Sequence, residues 1–156
     1  MSPVRFRFVP SIVLAATLAL AAQTTAALAE GWATTCEAGG RCRALLTMSV
    51  ETDRKLQVRI GIQTGPNGSE PVMITLLPLG VALEPGVRAV IDGKEFKSGY
   101  QVCFPDGCRT VGAMTADDLE VWLNAPTASL QFFPFASDKP VAVDVLLAGL
   151  REALKL

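Results

Sequence analysis

The chain has 156 residues, half of them hydrophobic, and its 14 lysine and arginine residues against 15 acidic residues give a net charge of −1. This balance offers no basic excess for binding nucleic acid or an anionic membrane surface. The sequence contains no histidine, which excludes Ser-His-Asp and Cys-His catalysis and the usual zinc sites.

The first 29 residues have the pattern of a secretory signal peptide. Arg5 and Arg7 precede an apolar run over about 8–22, and an Ala-Leu-Ala cleavage site ends at Ala29. The run is shorter than the roughly 20 residues that span a bilayer, so a membrane anchor is disfavoured. Cleavage would leave one domain, 30–156, without a membrane span and with a net charge of about −3, because two basic residues are removed. A periplasmic or secreted location is expected.

All four cysteines, Cys36, Cys42, Cys103 and Cys108, follow the predicted cleavage site. An even number of cysteines in an exported chain predicts two disulfides, because the compartment beyond the inner membrane is oxidising. Of three possible pairings, Cys36 with Cys42 and Cys103 with Cys108 is favoured, since each pair brackets a glycine-containing turn. A pairing across the two hairpins would instead join distant strands. A redox couple is disfavoured, because four residues rather than two separate Cys103 from Cys108.

Alternating apolar residues predict a series of strands in the first half of the domain. Short strands are expected over 32–36 and 43–50, and every second residue over most of 55–63 is apolar, which is typical of an amphipathic strand. A nearly continuous apolar run over 72–77 predicts a central strand. Pro78 ends it, because proline cannot donate to a sheet.

Turn residues punctuate the middle of the chain. A strand over 87–91 ends at Asp92-Gly93, a pair that suits a type I′ turn, and a hairpin is expected to return over 96–102. The second cysteine pair then brackets another turn. A strand over 109–114 is expected to pair back onto this hairpin.

The last third of the chain combines strands with two helices. Thr115 precedes Asp118 by three positions, close to a capping box, so a short helix is predicted there. Strands are expected over 129–135 and 140–145, followed by a C-terminal helix with Gly149 in its middle. The apolar stripe of this helix consists of Leu146, Leu147, Leu150 and Leu154. Together the pattern predicts an all-β, antiparallel β-sandwich or flattened barrel with one or two short helices.

The order of these features resembles the invasion-associated locus B (IalB) family of exported bacterial proteins. The matching features are Trp32 near Cys36, then Cys42, the segment LPLGVALEPGVRAVIDG at 77–93, Tyr100, Cys103, the pair Gly107-Cys108, and the apolar terminal segment with Gly149. The resemblance implies a small periplasmic or envelope-associated protein, linked by name to host-cell invasion, with no established enzymatic activity. It points to an unidentified envelope or host protein as the partner.

An acidic cluster at Asp117, Asp118 and Glu120 is open to two interpretations. It could form a glycosidase pair or a calcium site. The simpler interpretation is that carboxylates in the first turn of a helix complement the helix dipole. The simpler interpretation is favoured, and no catalytic residue, metal or cofactor is predicted.

Aromatic residues are the best indication of a contact surface. Phe132 and Phe133 must face opposite sides of a regular strand, so one of them could be exposed. Trp32 is a further candidate. The sequence therefore favours a non-enzymatic binding module with Trp32, Phe132 and Phe133 as candidate contacts. The alternative is a carboxylate-dependent periplasmic hydrolase. A thiol-disulfide protein is a third and less favoured hypothesis.

Overall fold

The computed structural model describes residues 31–50 and 53–156, and the side chains of the third strand from Gln57 onward. The predicted signal peptide, 1–29, lies outside the described residues. The strands are β1 Ala33–Cys36, β2 Cys42–Val50, β3 Asp53–Thr64, β4 Val72–Leu77, β5 Val87–Ile91, β6 Lys94–Ser98, β7 Tyr100–Phe104, β8 Gly107–Ala113, β9 Thr127–Phe132 and β10 Val141–Leu146. The helices are α1 Ala116–Asn124 and α2 Leu150–Leu154, with a short 3-10 turn at Pro66–Gly68.

The strands form two separate antiparallel sheets. The six-stranded sheet has the order β1-β2-β3-β4-β8-β7, and the four-stranded sheet has the order β10-β9-β5-β6. The predicted all-β sandwich with two short helices is confirmed, and the sheets do not close into the alternative flattened barrel. Within the described ranges, neither helix is long and apolar enough to cross a membrane.

Period-two alternation places one face of each long strand in a common core. Val58, Ile60 and Ile62 of β3 are fully buried, as the sequence pattern predicts. Trp122 of α1 is also fully buried, and its ring meets Phe96 of β6 edge-on with 5.7 Å between the ring centroids. The opposite face of the six-stranded sheet consequently carries the polar and partly exposed residues of the same strands.

The expected hairpin across Asp92-Gly93 forms, but its return strand ends at Ser98 and does not continue to 102, because the chain changes sheets at Gly99. β6 pairs with β5 in the four-stranded sheet, whereas β7 pairs with β8 in the six-stranded sheet. The Ser98 hydroxyl donates to Thr110 Oγ1 at 3.0 Å, and Thr110 Oγ1 lies 2.5 Å from Thr75 Oγ1. All three hydroxyls belong to buried residues, so this chain of hydrogen bonds joins the two sheets inside the core.

The predicted turn at Asp92-Gly93 and both predicted disulfides are confirmed. Asp92 and Gly93 have φ values of 48° and 82°, as a type I′ turn requires. The disulfides join Cys36 to Cys42 and Cys103 to Cys108, each across the turn of a β-hairpin. The cysteines stabilise two local hairpins and do not join distant strands.

The predicted C-terminal helix is shorter than expected. Leu146 is the last residue of β10, which pairs with β9 along its full length, and its side chain is 65% exposed. Gly149 lies at the N-cap of α2 with a φ of 86°, so it begins the helix and does not interrupt it. A left-handed conformation at this position favours glycine, because other residues meet a steric penalty there. α2 packs on β1 and β2.

Candidate functional site

Large apolar side chains remain exposed at the end of the sandwich where β4, β7 and β9 finish. We call this surface the loop-end patch. It consists of Leu79, Leu83, Phe104 and Phe135, with exposed fractions of 56%, 55%, 49% and 77%. Loops that follow strands on a rigid sandwich are common positions for binding residues, because the sheets fix their spacing.

Two backbone hydrogen bonds hold the loops of the patch together. Phe135 N donates to Gly80 O at 2.7 Å, and Ala82 N donates to Phe133 O at 2.8 Å. Val81, between these bonds, turns its side chain into the core and is only 7% exposed. These hydrogen bonds and the buried Val81 side chain fix both loop segments, so an ordered backbone presents Leu79 and Phe135.

A cavity of about 340 Å³ adjoins the patch. Its lining consists of Gln57, Arg59, Leu76, Pro78, Leu79, Pro105 and Asp106. The tip of the β7–β8 hairpin approaches β4 closely at Gly107, where a Cβ would overlap the carbonyl oxygen of Leu77. The absence of a side chain at Gly107 therefore allows the hairpin tip, with Pro105 and Asp106, to form one wall of the cavity.

The three contact residues predicted from sequence occupy different environments. Phe132 is 4% exposed and belongs to the core, so its side chain is not presented to a partner. Phe133 is half-buried beneath the Arg88 guanidinium, which lies 5.5 Å from the ring centroid, and its carbonyl pairs with the patch loop. Trp32 is half-buried near the opposite end of β10, where its Nε1 donates to Leu146 O at 3.0 Å. Only Phe133 lies beside the loop-end patch.

The acidic cluster at the start of α1 caps the helix. Thr115 N donates to Asp118 Oδ2 at 3.0 Å, and Asp118 N donates to Thr115 Oγ1 at 3.1 Å, which completes a capping box. Lys94 Nζ donates to Asp118 Oδ1 at 2.7 Å. Glu120 pairs with Arg151 of α2 at 3.2 Å. Asp117 and Asp118 lie in the first turn of α1, as the structural interpretation of the cluster predicts, whereas Glu120 lies beyond this turn and pairs with α2.

The hydrogen bond from Lys94 and the cap at Thr115 lower the pKa of Asp118 to about 2. A carboxyl group whose pKa is lower in the folded protein than in the unfolded chain, where it is about 3.9, stabilises the fold above that value. This contribution is lost as the pH falls through the folded pKa. We expect Asp118→Asn to lower the free energy of unfolding by about 1 kcal/mol at pH 7, since it weakens both the cap and the ion pair.

The pH profile tests this expectation. Melting temperatures of the wild type and D118N should differ by a constant amount between pH 5 and pH 7, and the difference should shrink from about pH 4 to about pH 2. Asp117→Asn is the matched control, because Asp117 is exposed in the same helical turn. A difference that is independent of pH down to pH 2 would contradict the role of the Asp118 charge.

Among the described residues, the carboxyl groups with altered pKa values shift in the direction opposite to that of a general acid. The hydrogen bond from Lys97 lowers the pKa of Glu95, and burial raises the pKa of Tyr100 to about 12. A carboxylic general acid requires a raised pKa, which is the opposite of the shifts at Glu95 and Asp118. Over 31–50 and 53–156, no three His, Cys, Asp or Glu residues are grouped so that they could hold a metal ion.

Hydrophobic alternation in the sequence does not locate the loop-end patch. Leu79, Leu83 and Phe135 lie outside regular strands, so alternation gives no indication of which way they point. A signal was nevertheless present: Pro78 and Pro85 bracket several large apolar residues that cannot continue a sheet strand. Large apolar residues in a proline-bounded loop are candidates for exposure.

Comparison with known proteins gives both a fold and a family. A solved structure described as invasion associated protein b from Bartonella henselae matches with a TM-score of 0.65 and 18% sequence identity, covering 80% of this chain and 89% of that chain. At this identity the likeness shows the fold. No curated protein matches the chain. The family model described as "Invasion associated locus B (IalB) protein" matches residues 32–156. The match covers nearly the whole of the domain, and the chain belongs to the IalB family.

Proposed function

We propose that this protein is an exported, non-enzymatic binding module of the cell envelope that contacts another protein through the loop-end patch. The single observation that carries the proposal is the exposure of Leu79, Leu83 and Phe135 in loops and of Phe104 at the end of β7, at one end of the sandwich. Clustered exposed apolar side chains are a signature of interaction sites, and aromatic side chains supply much of the binding energy in such sites. Phe133 belongs to the margin of this surface.

The proposed location is the periplasm or the cell exterior. A signal peptide over 1–29 and a mature domain over 30–156 account for the apolar N-terminal run. Two hairpin disulfides suit an oxidising compartment. The similar Bartonella henselae protein is described as invasion-associated, which makes an envelope or host protein the proposed class of partner.

The alternative, a carboxylate-dependent hydrolase, has less support. Such an enzyme needs two carboxyl groups with separated pKa values facing one cavity. Of the described residues, Asp106 is the one carboxylate on the lining of the cavity beside the patch, and Asp118 and Glu120 are engaged by Lys94 and Arg151. We therefore assign Asp118 and Glu120 structural roles.

A pair of variants tests the proposal. The mature domain and its Leu79→Ser/Phe135→Ser variant would be used to isolate partners from an envelope extract of the source organism, with quantitative mass spectrometry. We expect the variant to retain at most about a tenth of a partner captured by the wild type, because losing two exposed anchors typically weakens binding by tenfold or more.

Leu146→Ser provides the matched control. Leu146 is 65% exposed on β10, outside the loop-end patch, so L146S removes a comparable apolar surface elsewhere. Capture equal to that of the wild type is expected. A partner captured equally by all three proteins, or the absence of any captured protein, would contradict the proposal.

A further inference from the structure

The outward face of the six-stranded sheet carries positive charge on its described strand residues, and Asp106 of the β7–β8 turn lines the same cavity as Arg59 at the edge of this face. Arg43 of β2, Arg59 of β3 and Arg109 of β8 alternate with buried neighbours and therefore point away from the core. No side chain described in this sheet is acidic, and these arginines make no ion pair among the described residues. Arg43 donates to the neutral Gln63 Oε1 at 2.8 and 3.2 Å. The net charge of the whole chain is −1, so composition alone does not indicate this basic surface.

An apolar row crosses the middle of the same face. Strand register places Leu45, Gly61, Ile74 and Val111 side by side across β2, β3, β4 and β8. Leu45 is 37% exposed, and Ile74 and Val111 are half-buried. Gly61 has no side chain, and Leu45 Cδ1 lies 3.5 Å from where its Cβ would be. The row therefore forms a shallow apolar track perpendicular to the strands.

Arginines border this track on both sides. Register places Arg59, Leu76 and Arg109 in the next row on one side, and Arg43 in the next row on the other. Residues two apart in a strand are separated by about 7 Å, so the two arginine rows are about 14 Å apart. A ligand that fits between the two arginine rows needs an apolar side facing the sheet and acidic groups along both of its flanks.

We propose that this face is a docking surface for an acidic amphipathic α-helix of a partner protein, laid along the track. An α-helix with its side chains is about 10–12 Å wide, which fits between the two arginine rows. Its pitch of about 5.4 Å is close to the strand spacing of about 4.8 Å, so successive turns can seat apolar residues on successive strands. Carboxylates on the flanks then meet Arg43 on one side and Arg59 and Arg109 on the other.

The dimensions of the track define the helix. Three strand spacings separate Leu45 from Val111, or about 14 Å, which corresponds to about ten helical residues. Apolar residues at i, i+3, i+4 and i+7 bordered by glutamates meet this requirement. This surface adjoins the loop-end patch at the cavity that Arg59, Leu76 and Leu79 line together. It goes beyond the proposed function, since the track runs across β2, β3, β4 and β8 and takes a second partner element with its own chemistry.

A designed peptide tests the inference. The probe is an 18-residue fluorescein-labelled peptide with leucines at i, i+3, i+4 and i+7 and glutamates on both flanks of the stripe, titrated with the mature domain and followed by anisotropy. We expect saturable binding that Arg59→Glu/Arg109→Glu weakens by at least about tenfold. Binding should also weaken as salt rises from about 50 to 500 mM, because the proposed ion pairs are exposed.

Two controls separate this surface from general charge effects. Lys139→Glu/Lys155→Glu reverses the same number of charges at exposed positions outside the six-stranded sheet and should leave binding within about twofold of the wild type. A peptide with lysines in place of the glutamates should not bind. Circular dichroism verifies that R59E/R109E is folded, and Arg59→Gln/Arg109→Gln, which introduces no negative charge, should weaken binding by a smaller factor in the same direction.

Several outcomes would overturn the inference. They are the absence of peptide binding, equal binding by R59E/R109E and the wild type, and equal binding of the lysine peptide. Vesicles of phosphatidylglycerol and phosphatidylcholine distinguish a membrane from a protein helix. Vesicle binding that depends on Arg59 and Arg109, without peptide binding, would show that this face binds an anionic lipid surface. It would overturn the proposal that a partner helix docks there.

Discussion

Replacement of Trp122 with alanine is expected to lower the free energy of unfolding by about 3–5 kcal/mol. The indole is fully buried, and its ring packs edge-on against Phe96 at 5.7 Å. Because α1 supplies this side chain to a core built mainly from strands, truncation removes buried apolar area and leaves a cavity. Urea denaturation followed by far-UV circular dichroism measures the loss. The melting temperature should fall by roughly 10–20 °C for a domain of this size.

Phe135→Ala is the matched control for the Trp122 experiment. This aromatic ring is 77% exposed, so its removal should change the free energy of unfolding by less than about 0.5 kcal/mol. A loss below about 1 kcal/mol in W122A would contradict the position of α1 over the core. A large loss in F135A would instead show that the loop-end patch contributes to folding.

Gly107→Ala is expected to destabilise the domain by about 2–4 kcal/mol, the second-largest effect. Gly107 has a φ of 143°, and a Cβ there would overlap the backbone carbonyl oxygen of Leu77, which cannot rotate away as a side chain can. The tip of the β7–β8 hairpin must therefore move away from β4. Phe104 moves with it, so G107A should also reduce capture of a partner through the loop-end patch.

Gly93→Ala separates steric overlap from backbone strain. Gly93 has a φ of 82°, but nothing lies within 4 Å of its would-be Cβ. Strain alone should cost about 1 kcal/mol at this position. Thermal denaturation of both variants measures the difference. Equal losses at the two positions would show that the approach of Gly107 to Leu77 is not tight.

Local patterns in the sequence predict much of the fold. The strand expected over 72–77 is β4 with the same ends, because the nearly continuous apolar run and Pro78 both act locally. The Asp92-Gly93 turn and the Thr115 cap were predictable for the same reason: a few adjacent residues determine their geometry. Membership of a sheet is a different property. Alternation reports which face of a strand is buried but not which sheet the strand joins, so the crossing at Gly99 was missed.

The candidate binding surfaces were less predictable from the sequence. Phe132 and Phe133 follow the expected alternation, yet the sequence could not specify that Phe132 faces the core. Arg43, Arg59 and Arg109 are far apart in the chain, and only strand register brings them to one face. Leu79 and Phe135 lie in loops, where position depends on tertiary hydrogen bonds. A surface assembled from segments that are distant in the sequence can be predicted only when the strand topology is known.

The hydrogen bond between Trp32 and Leu146 spans 114 residues of the chain. α2, near the C-terminal end of the chain, also packs on β1 and β2, near the start of the domain. A nascent polypeptide cannot complete these contacts until α2 has been synthesised and has left the ribosome. Contacts between distant segments also slow folding, because loop entropy is lost before they form. A chain shortened before Leu150 would leave β1 and β2 without their covering helix.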